Sequence, residues 1–442
     1  MPIYKGKGPK NRTSSYRPVS LCSTLGKALE RLVKEQLLNI VDRTIPLSTA
    51  QHGSTNKRST TTNLLSAESI IAEALNKKLA YDIIALDFSR AFDRVPHHLL
   101  LAELAKRGIS GKALQWIRSF LTDRSQSVKV GNSFSGAAAV SSGVIQGSSL
   151  GPLLFTVYID SLLSTLDMFA SGFADDLKFV AILQHHSHAT IQDNLNRVYS
   201  WSILMGMPLS LDKCCVVHCG LDNPQATYRC GPQSLSVSDC VIDLGVKCCP
   251  DGSFSEHILS LGQKSRRLVG LCLKSFHCRD PSFMMRVYKS YVLPVLTYAS
   301  QVWSPHLRKE VDELEAIQRR FTKRIAGQRH LPYRERLINL SLLSLESQRI
   351  EADMIFVYKL CHNLVGVSLK DVGLSISTSN TRGGGFRLQQ EIVTSTSAAA
   401  HFRYRAATTW NSLPFNIIQS ITLSSFKSSL RDWLMSVDSA FF

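Results

Sequence analysis

The 442-residue sequence is poor in acidic residues and has no long apolar run. Its 34 acidic residues are outnumbered by 51 lysines and arginines, which gives a formal charge of +17. No segment reaches the roughly 18–20 uninterrupted apolar residues that cross a membrane, and Pro294 interrupts the longest candidate, 291–303. The basic N-terminal stretch is not followed by the apolar core of a signal peptide. We therefore expect no membrane segment and a polyanionic partner, with nucleic acid favoured over a membrane surface.

A regular cysteine framework is also absent. The 11 cysteines follow no repeated spacing, and a chain of this length can bury a core without disulfides, so a reducing environment is predicted. The cluster 214–219 contains cysteines and His218, which are zinc-ligand types, but no second pair at ligand spacing completes it. Its alternation is typical of a strand. Hydrophobic residues make up 44% of the chain, which predicts a folded protein.

The positive charge is concentrated in two clusters. Residues 1–34 hold eight basic residues and one acid, and residues 262–289 hold seven basic residues and one acid. One such cluster is usually a solvated helix face, whereas two of them beside a candidate metal site favour binding to a polyanion.

The few acidic residues include an adjacent pair, Asp175 and Asp176, within the otherwise apolar stretch 172–179. Alternation along this stretch predicts a strand that bends into a hairpin at the pair. Adjacent strand residues point to opposite faces, so the two carboxylates are expected to have unequal roles unless the turn re-aims one of them. Alone, the pair is more simply read as turn residues. A metal site would require a further carboxylate from a separate strand.

Asp87 meets that requirement, because it ends the near-continuous apolar run 83–86, which predicts a strand covered on both faces. A carboxylate at such a position costs free energy unless it is paired or bound to a metal, so a functional role is favoured. Asp93 follows six residues later. For Asp93, capping of a helix that starts near Pro96 is an equal alternative.

The remaining pattern predicts a mixed α/β chain with a helical second half. The turn 143–152 is rich in glycine, which permits close backbone approach, and Gln146 can offer its amide to a ligand. The helix 23–41 is predicted to be amphipathic, with Leu25, Leu29, Leu32 and Val33 on one side. Residues 375–385 are rich in Ser, Thr and Gly and predict a flexible linker. The other predicted helices are 62–77, 97–107, 112–122, 153–166, 189–204, 309–324 and 423–436, and the other strands are 127–131, 137–141, 211–217 and 243–246.

This set of residues fits phosphoryl transfer from a nucleoside triphosphate. Two Mg²⁺ ions about 4 Å apart would bridge the attacking oxygen and the leaving phosphate. Mg²⁺ prefers oxygen ligands, so the aspartates suit it better than the nearby Cys and His residues. Cations such as those of the loop 57–58 would neutralise the triphosphate.

Seven sequence blocks occur in a fixed order: 16–21, 51–53 with 58–60, 87–97, 147–152, 173–176, 213–214 and 244–246. In this order they resemble the reverse transcriptases of non-LTR (LINE-type) retrotransposons, most of all the jockey-like group. Group II intron-type and telomerase-type reverse transcriptases are the nearest alternatives, and the jockey-like run 291–305 argues against both. Two positions depart from the family: Ile145 replaces a common Pro, and Ser54 replaces an aromatic residue.

The resemblance implies an α+β right-hand polymerase fold with a helical C-terminal extension. The implied divisions are partial fingers (1–80), a palm with an antiparallel sheet and inserted fingers elements (81–252), a helical thumb (253–335), a helical connection (336–374), a flexible linker (375–387) and a small C-terminal segment (388–442). Because the sequence starts within the fingers, we expect the family's endonuclease domain to be missing from this chain, as in a fragment or truncated copy. A nuclear location with a cytoplasmic ribonucleoprotein stage is also implied.

The resemblance further implies individual roles. Asp87, Asp175 and Asp176 would form the catalytic and metal site for two Mg²⁺ ions, with Mn²⁺ as an alternative; the first two would be direct ligands and Asp176 a support. Phe92 would lie beneath the sugar and exclude a ribose 2′-hydroxyl, and Lys213 would be near the triphosphate as a candidate general acid for pyrophosphate. The full nucleotide-binding set is Phe88, Phe92, Gln146, Gly147, Lys213 and Arg58. The thumb residues implied to contact nucleic acid are Lys264, Arg266, Arg267 and Lys274.

The expected function is therefore RNA-directed DNA polymerisation, in which dNTPs are added to the 3′-hydroxyl of a DNA primer or target on an RNA template. The alternative is a truncated, catalytically silent remnant that still binds nucleic acid. Both alternatives predict salt-sensitive binding to an RNA–DNA hybrid, and only the first predicts primer extension.

Overall fold

A computed structural model describes residues 1–6, 8–377 and 387–441. Most of the predicted linker 375–387 lies outside the described residues. Strands β1–β15 are, in order, Pro2–Tyr4, Tyr16–Pro18, Tyr81–Asp87, Arg124–Gln126, Lys129–Val130, Ser133–Phe134, Ala138–Val140, Ala170–Phe173, Asp176–Ile182, Cys215–Cys219, Arg229–Cys230, Gln233–Ser234, Ser236–Val237, Val241–Asp243 and Val246–Cys248.

Helices account for most of the remaining structure. Helices α1–α18 are Thr24–Thr44, Thr60–Asn76, Ala91–Arg94, His97–Lys106, Gly111–Leu121, Gly151–Leu163, His188–Leu204, Ser255–Ser275, Pro281–Val287, Leu293–Thr297, Ser300–Trp303, Arg308–Thr322, Tyr333–Asn339, Leu345–Cys361, Thr396–Ala399, Phe402–Ser412, Phe415–Ile418 and Leu423–Phe441. Short 3₁₀ turns occur at Thr13–Ser15, Leu211–Lys213 and Lys370–Val372, and a π-helical turn occurs at Tyr288–Val292. No helix of the described residues has the length and apolar character needed to cross a membrane.

The chain forms two compact units. The first comprises residues 1–59, 82–216 and 224–237, and the second comprises 60–81, 217–223 and 238–442.

A five-stranded sheet with the order β13-β10-β3-β9-β8 organises the first unit. The central strand, β3, buries Ile84 and Leu86, which explains its nearly continuous apolar sequence. Strands β8 and β9 form the predicted antiparallel hairpin, whereas β13 joins the opposite edge in parallel with β10. Helix α6 supplies core side chains, including Phe155 and Tyr158, along most of its length.

An ionic network is buried in the core of the first unit. The Arg107 guanidinium forms an ion pair with Asp160, and the two side chains are only 7% and 3% exposed. Arg107 also donates to the carbonyl oxygen of Ile45 at 2.6 Å, and Asp160 accepts from the Ser48 backbone N–H at 2.7 Å. The pair therefore fixes the loop that leads into residues 51–53.

Helix α1 does not bury the face that its leucines predict. Leu25 and Leu32 are 85% and 63% exposed, whereas Glu30 and Leu37 are buried. The Glu30 carboxylate accepts from the backbone N–H groups of Ser149 and Leu150, just before α6, at 2.5 and 3.1 Å. The orientation of α1 thus gives the unpaired N–H groups at the N-terminus of α6 an acceptor. The hydrophobic pattern of α1 contains no information about these N–H groups.

Two strand predictions were wrong in detail. Residues 211–213 form a 3₁₀ turn, and the strand β10 begins only at Cys215. Residues 243–246 were predicted as a strand but enclose the turn between β14 and β15. Leu244 and Gly245 have φ values of 44° and 89°, and two consecutive positive values are what a tight hairpin turn requires.

The second unit is mainly helical. Its core joins α8, α12, α14 and α16 to α18, with Trp303 and Trp410 completely buried. The C-terminal segment belongs to this core, since the ring of Phe426 stacks on Tyr358 with centroids 4.4 Å apart. Within the same unit, Arg405 forms an ion pair with the buried Asp353 at 2.9 Å.

Candidate active site

Asp87 lies at the end of the central strand β3. Its side chain is 22% exposed and forms an ion pair with Lys213, and its carbonyl oxygen accepts from the Ser210 N–H at 2.7 Å. Lys213 ends the 3₁₀ turn just before β10, the strand beside β3 in the sheet. Sheet order therefore brings together two predicted site residues that are 126 positions apart.

Asp175 lies in the loop of the β8–β9 hairpin rather than on a strand. Phe173 pairs with Asp176, so the loop consists of only Ala174 and Asp175. Ala174 has a φ of 55°, the left-handed region that two-residue hairpin loops commonly need at their first position. Asp175 is half-buried, whereas Asp176 begins β9 and is exposed. The two carboxylates are consequently inequivalent, and the turn rather than strand alternation separates them.

The electrostatics of Asp175 link it to Asp87. Burial raises the pKa of the Asp175 carboxyl, and the negative charge of Asp87 raises it further. Backbone hydrogen bonding and the positive charges of Lys213 and Arg17 oppose this rise in the pKa of Asp175. Asp87, at the end of β3, and Asp175, in the β8–β9 loop, thus lie within electrostatic reach of each other.

The donor chemistry of this pair fits a hard divalent cation. Both side chains offer carboxylate oxygens, and a cation between them would remove the repulsion that raises the pKa of Asp175. Within the described part of the chain, no group of three or more His, Cys, Asp or Glu side chains is arranged to hold a metal. The fit therefore rests on the two aspartates, and any further ligands would come from bound phosphates or water.

The turn 143–152 contributes a second polar contact to the site. The Gln146 side-chain amide donates to the Asp93 carboxylate at 3.0 Å. Burial raises the pKa of Asp93, and this hydrogen bond opposes the rise. The capping alternative for Asp93 is wrong, because Asp93 lies within α3 and the residue that caps α4 is Pro96.

Gly147, the residue after Gln146, is packed closely against the backbone of Ser20. Its φ is 115°, and an added Cβ would lie 2.6 Å from the carbonyl oxygen of Ser20. The Ser20 N–H also donates to the carbonyl oxygen of Gln146 at 2.7 Å. Only glycine fits here, because block 16–21 covers the turn at backbone contact distance.

The two predicted aromatic residues lie in different environments. The half-buried ring of Phe92 stacks on Phe155 with centroids 4.3 Å apart and an interplanar angle of 11°. Phe88 is only 2% exposed, and its ring meets the edge of Trp201 at 5.9 Å. Any contact between Phe88 and a nucleotide would therefore involve its main chain.

The side chain of Arg58 forms hydrogen bonds with residues close to it in sequence. Its guanidinium donates to the carbonyl oxygens of Thr49 and Gln51. These bonds hold the segment that precedes the loop, and binding of a nucleotide by Arg58 stays a prediction.

The four predicted thumb cations all lie on α8, in the second unit. Arg266 forms an ion pair with Glu313 at 2.6 Å. Lys264, Arg267 and Lys274 are exposed, and no carboxylate in the described regions forms a salt bridge with them. Their spacing of three and seven residues puts these three on one side of the helix.

Sequence reasoning missed two residues of this site. Arg17 exerts its charge on Asp175, and Gln51 makes hydrogen bonds to the hairpin loop. Both belong to recognised blocks, 16–21 and 51–53, to which no role was assigned. The sequence feature that could have identified Arg17 and Gln51 is that each is a polar residue within one of these recognised blocks.

Comparison with known proteins agrees with this geometry. A family model described as "Reverse transcriptase (RNA-dependent DNA polymerase)" matches residues 7–270. An RNA-directed DNA polymerase from the mobile element jockey of Drosophila funebris is 29% identical over 343 residues, covering 74% of this chain and 37% of the relative. A probable RNA-directed DNA polymerase from the transposon X-element of Drosophila melanogaster is 26% identical, with the same two coverages. The chain thus spans little more than a third of the length of these relatives.

Solved telomerase structures are also similar to the chain. The apo telomerase of Candida tropicalis has 14% identity and a TM-score of 0.41, covering 73% of this chain and 55% of that one. The telomerase of Candida albicans bound to a fragment of telomeric RNA has 14% identity and a TM-score of 0.36, covering 74% and 56%. Both TM-scores lie below 0.5, so the family match carries the assignment. The chain belongs to the reverse transcriptase (RNA-dependent DNA polymerase) family, and its resemblance to jockey-like non-LTR retrotransposon enzymes is confirmed.

Proposed function

We propose that this chain is an RNA-directed DNA polymerase that adds deoxynucleotides to the 3′-hydroxyl of a DNA primer. The observation that carries the proposal is the convergence of Asp87, at the end of β3, with Asp175, in the β8–β9 loop, close enough for their charges to interact. Lys213 beside Asp87 and the exposed basic stripe on α8 support it, since both suit a polyanionic substrate.

The family uses divalent metal ions, and Asp87 and Asp175 would hold them here. We propose Mg²⁺, with Mn²⁺ as an alternative, at two positions, and Asp176 as a supporting residue. Two bound ions would supply activation of the primer hydroxyl and neutralisation of the charge that develops on the phosphate.

The chain's own residues account for the remaining steps. The primer 3′-hydroxyl gives up its proton to water as its oxygen forms a bond to the α-phosphorus of the dNTP, and the bond from that phosphorus to pyrophosphate breaks. The Lys213 ammonium, which already contacts the Asp87 carboxylate, would protonate the departing pyrophosphate. Holding Lys213 in this position costs little reorganisation, because the ion pair orients it before the nucleotide arrives.

Residues around the pair would select and align the nucleotide. Phe92 would lie beneath the sugar, and its stacking on Phe155 limits how far the ring can yield to a ribose 2′-hydroxyl. Gln146 and Gly147 would line the nucleotide and template site through the tightly held turn. Arg58 and the Phe88 main chain would complete the binding region.

Basic residues of the second unit would bind the template–primer heteroduplex. Lys264, Arg267 and Lys274 form a stripe that suits phosphate contacts without base readout. Arg266 would contribute less, because Glu313 neutralises it. We further propose that synthesis takes place in the nucleus, after a cytoplasmic ribonucleoprotein stage, at a nick made by an endonuclease outside residues 1–442.

Primer extension tests this proposal. Purified chain is incubated with a labelled DNA primer annealed to an RNA template, the four dNTPs and Mg²⁺. The proposal predicts template-directed extension that disappears without template, without dNTPs or with a chelator. If soluble, monodisperse chain binds the hybrid but extends no primer with either Mg²⁺ or Mn²⁺, the silent nucleic-acid-binding alternative is correct.

A further inference from the structure

The hairpin loop that carries Asp175 is held by a buried glutamine. Gln51 is 0% exposed, and its side-chain oxygen accepts from the backbone N–H of Ala174 at 3.0 Å. Its side-chain nitrogen donates to the carbonyl oxygen of Ala174 at 3.3 Å. One amide group thus binds both polar backbone groups of the residue that precedes Asp175.

Ala174 needs such support because of its backbone conformation. Its φ of 55° lies in the left-handed region, where the Cβ of an L-residue is crowded by the backbone. Without the glutamine, the Ala174 N–H and C=O would lose this partner, and the loop could relax toward a less strained conformation that turns Asp175 elsewhere.

The segment around Gln51 is itself fixed against the same hairpin. The Gln51 oxygen also accepts from the Gly53 N–H at 2.7 Å. The His52 N–H donates to the Gly172 carbonyl oxygen, and the Gly172 N–H donates to the Ala50 carbonyl oxygen, each at 2.8 Å. A Cβ on Gly53 would lie 2.3 Å from the nitrogen of Ala174. The segment therefore approaches the loop as closely as backbone atoms permit.

We infer that Gln51 is a positioning residue that holds the Ala174 peptide and thereby aims the Asp175 carboxylate toward Asp87. Glutamine suits this role because it combines an acceptor for the Ala174 N–H with a donor for the Ala174 carbonyl oxygen. The inference rests on the proposed metal-binding role of Asp175, whereas the hydrogen bonds to Ala174 can be tested without it.

The first unit contains a matched control for the substitution at Gln51. Gln192 uses its side-chain amide in the same way: its oxygen accepts from the Arg229 N–H at 2.9 Å, and its nitrogen donates to the Arg229 carbonyl oxygen at 2.7 Å. Gln192 and Arg229 belong to the same unit as Gln51 but not to the site around Asp175. Gln51→Met and Gln192→Met therefore remove the same type of paired backbone contact, buried at Gln51 and exposed at Gln192, and only the first supports the loop that carries Asp175.

Two readouts on the full chain test the inference. Hydrogen exchange by mass spectrometry should show faster exchange in the peptide spanning 172–177 for Gln51→Met, but not for Gln192→Met. In primer extension, the Mg²⁺ concentration for half-maximal rate should rise about tenfold for Gln51→Met, because the loss of about 1.4 kcal/mol is expected from broken buried hydrogen bonds. The KM for dNTP should change little relative to Gln192→Met, whereas the melting temperature should fall further, because Gln51 is buried and the contacts of Gln192 are exposed.

The result that overturns the inference is unchanged exchange in peptide 172–177, or an activity loss without any shift in the Mg²⁺ requirement. If Gln51→Met does not fold, Gln51→Asn replaces it: this variant keeps the neutral amide but is one methylene shorter, so it should weaken both contacts with Ala174 and give a smaller shift of the same sign. If the wild-type chain extends no primer, the proposed function fails, and the exchange experiment still decides whether Gln51 holds the loop.

Discussion

The buried Arg107–Asp160 pair should be among the most sensitive points of the first unit, and Asp160→Ala tests this. The substitution leaves the Arg107 guanidinium, 7% exposed, without its carboxylate, and deprives the Ser48 N–H of its acceptor. Removal of one partner of a buried ion pair typically costs about 3–5 kcal/mol. Since a domain's whole stability is about 5–15 kcal/mol, a large fraction of the folding free energy should be lost.

The assay is urea denaturation followed by tryptophan fluorescence, with Trp116 and Trp201 reporting on the first unit. Asp167→Ala is the matched control, because Asp167 also pairs with an arginine, Arg197, in the same unit. That pair is 55% and 44% exposed, so solvent screens it and the control should lose much less stability.

A double substitution tests whether the loss of stability comes from the unpaired charge of Arg107 rather than from the lost packing contact. Arg107→Met combined with Asp160→Leu removes both charges and fills the space with apolar atoms, so it should be more stable than Asp160→Leu alone. The reasoning is refuted if Asp160→Ala is as mild as Asp167→Ala, or if the double variant is less stable than the single one.

Three further predictions concern pH, salt and sugar selection. Burial lowers the pKa of His257 to about 4, so the unfolded chain binds a proton on this residue before the folded chain does. The free energy of unfolding should therefore fall by up to about 3 kcal/mol as pH drops from about 6.5 toward 4. Urea midpoints across pH should show this fall in wild type and not in His257→Gln. Arg267→Ala should reduce the slope of log affinity against log salt for an RNA–DNA hybrid by about one, whereas Arg266→Ala, already paired with Glu313, should change it little. Phe92→Ala should raise rNTP incorporation relative to dNTP in single-nucleotide extension, and an unchanged ratio would contradict its assigned role.

The placement of Asp87 and Asp175 was predictable because local sequence determines its main features. The apolar run before Asp87 implies a buried central strand, and the acidic pair flanked by alternating residues implies a hairpin. Both are short-range patterns. The convergence of Asp87 with Lys213 followed from the ordered blocks, since no local pattern relates residues 126 positions apart.

The rest depends on backbone groups that hydrophobic patterns do not report. Glu30 turns α1 so that Leu25 and Leu32 are exposed, because two N–H groups before α6 need an acceptor. Gln51 is likewise buried because its side-chain amide binds the backbone of Ala174, in a hairpin that is distant in sequence. Such roles become visible only when long-range hydrogen bonds are known.

Single-nucleotide extension of an RNA-templated DNA primer by wild type, Asp175→Asn and Asp167→Asn tests the central claim most directly. Asp175→Asn removes the carboxylate charge without changing the size of the side chain, and Asp167→Asn makes the same change at an exposed carboxylate that pairs with Arg197 and lies outside the β8–β9 hairpin. The account predicts extension by wild type and by Asp167→Asn, and a rate for Asp175→Asn reduced by more than about a hundredfold, since even residues that only support a metal ligand contribute up to that much. Equal rates for wild type and Asp175→Asn would contradict it.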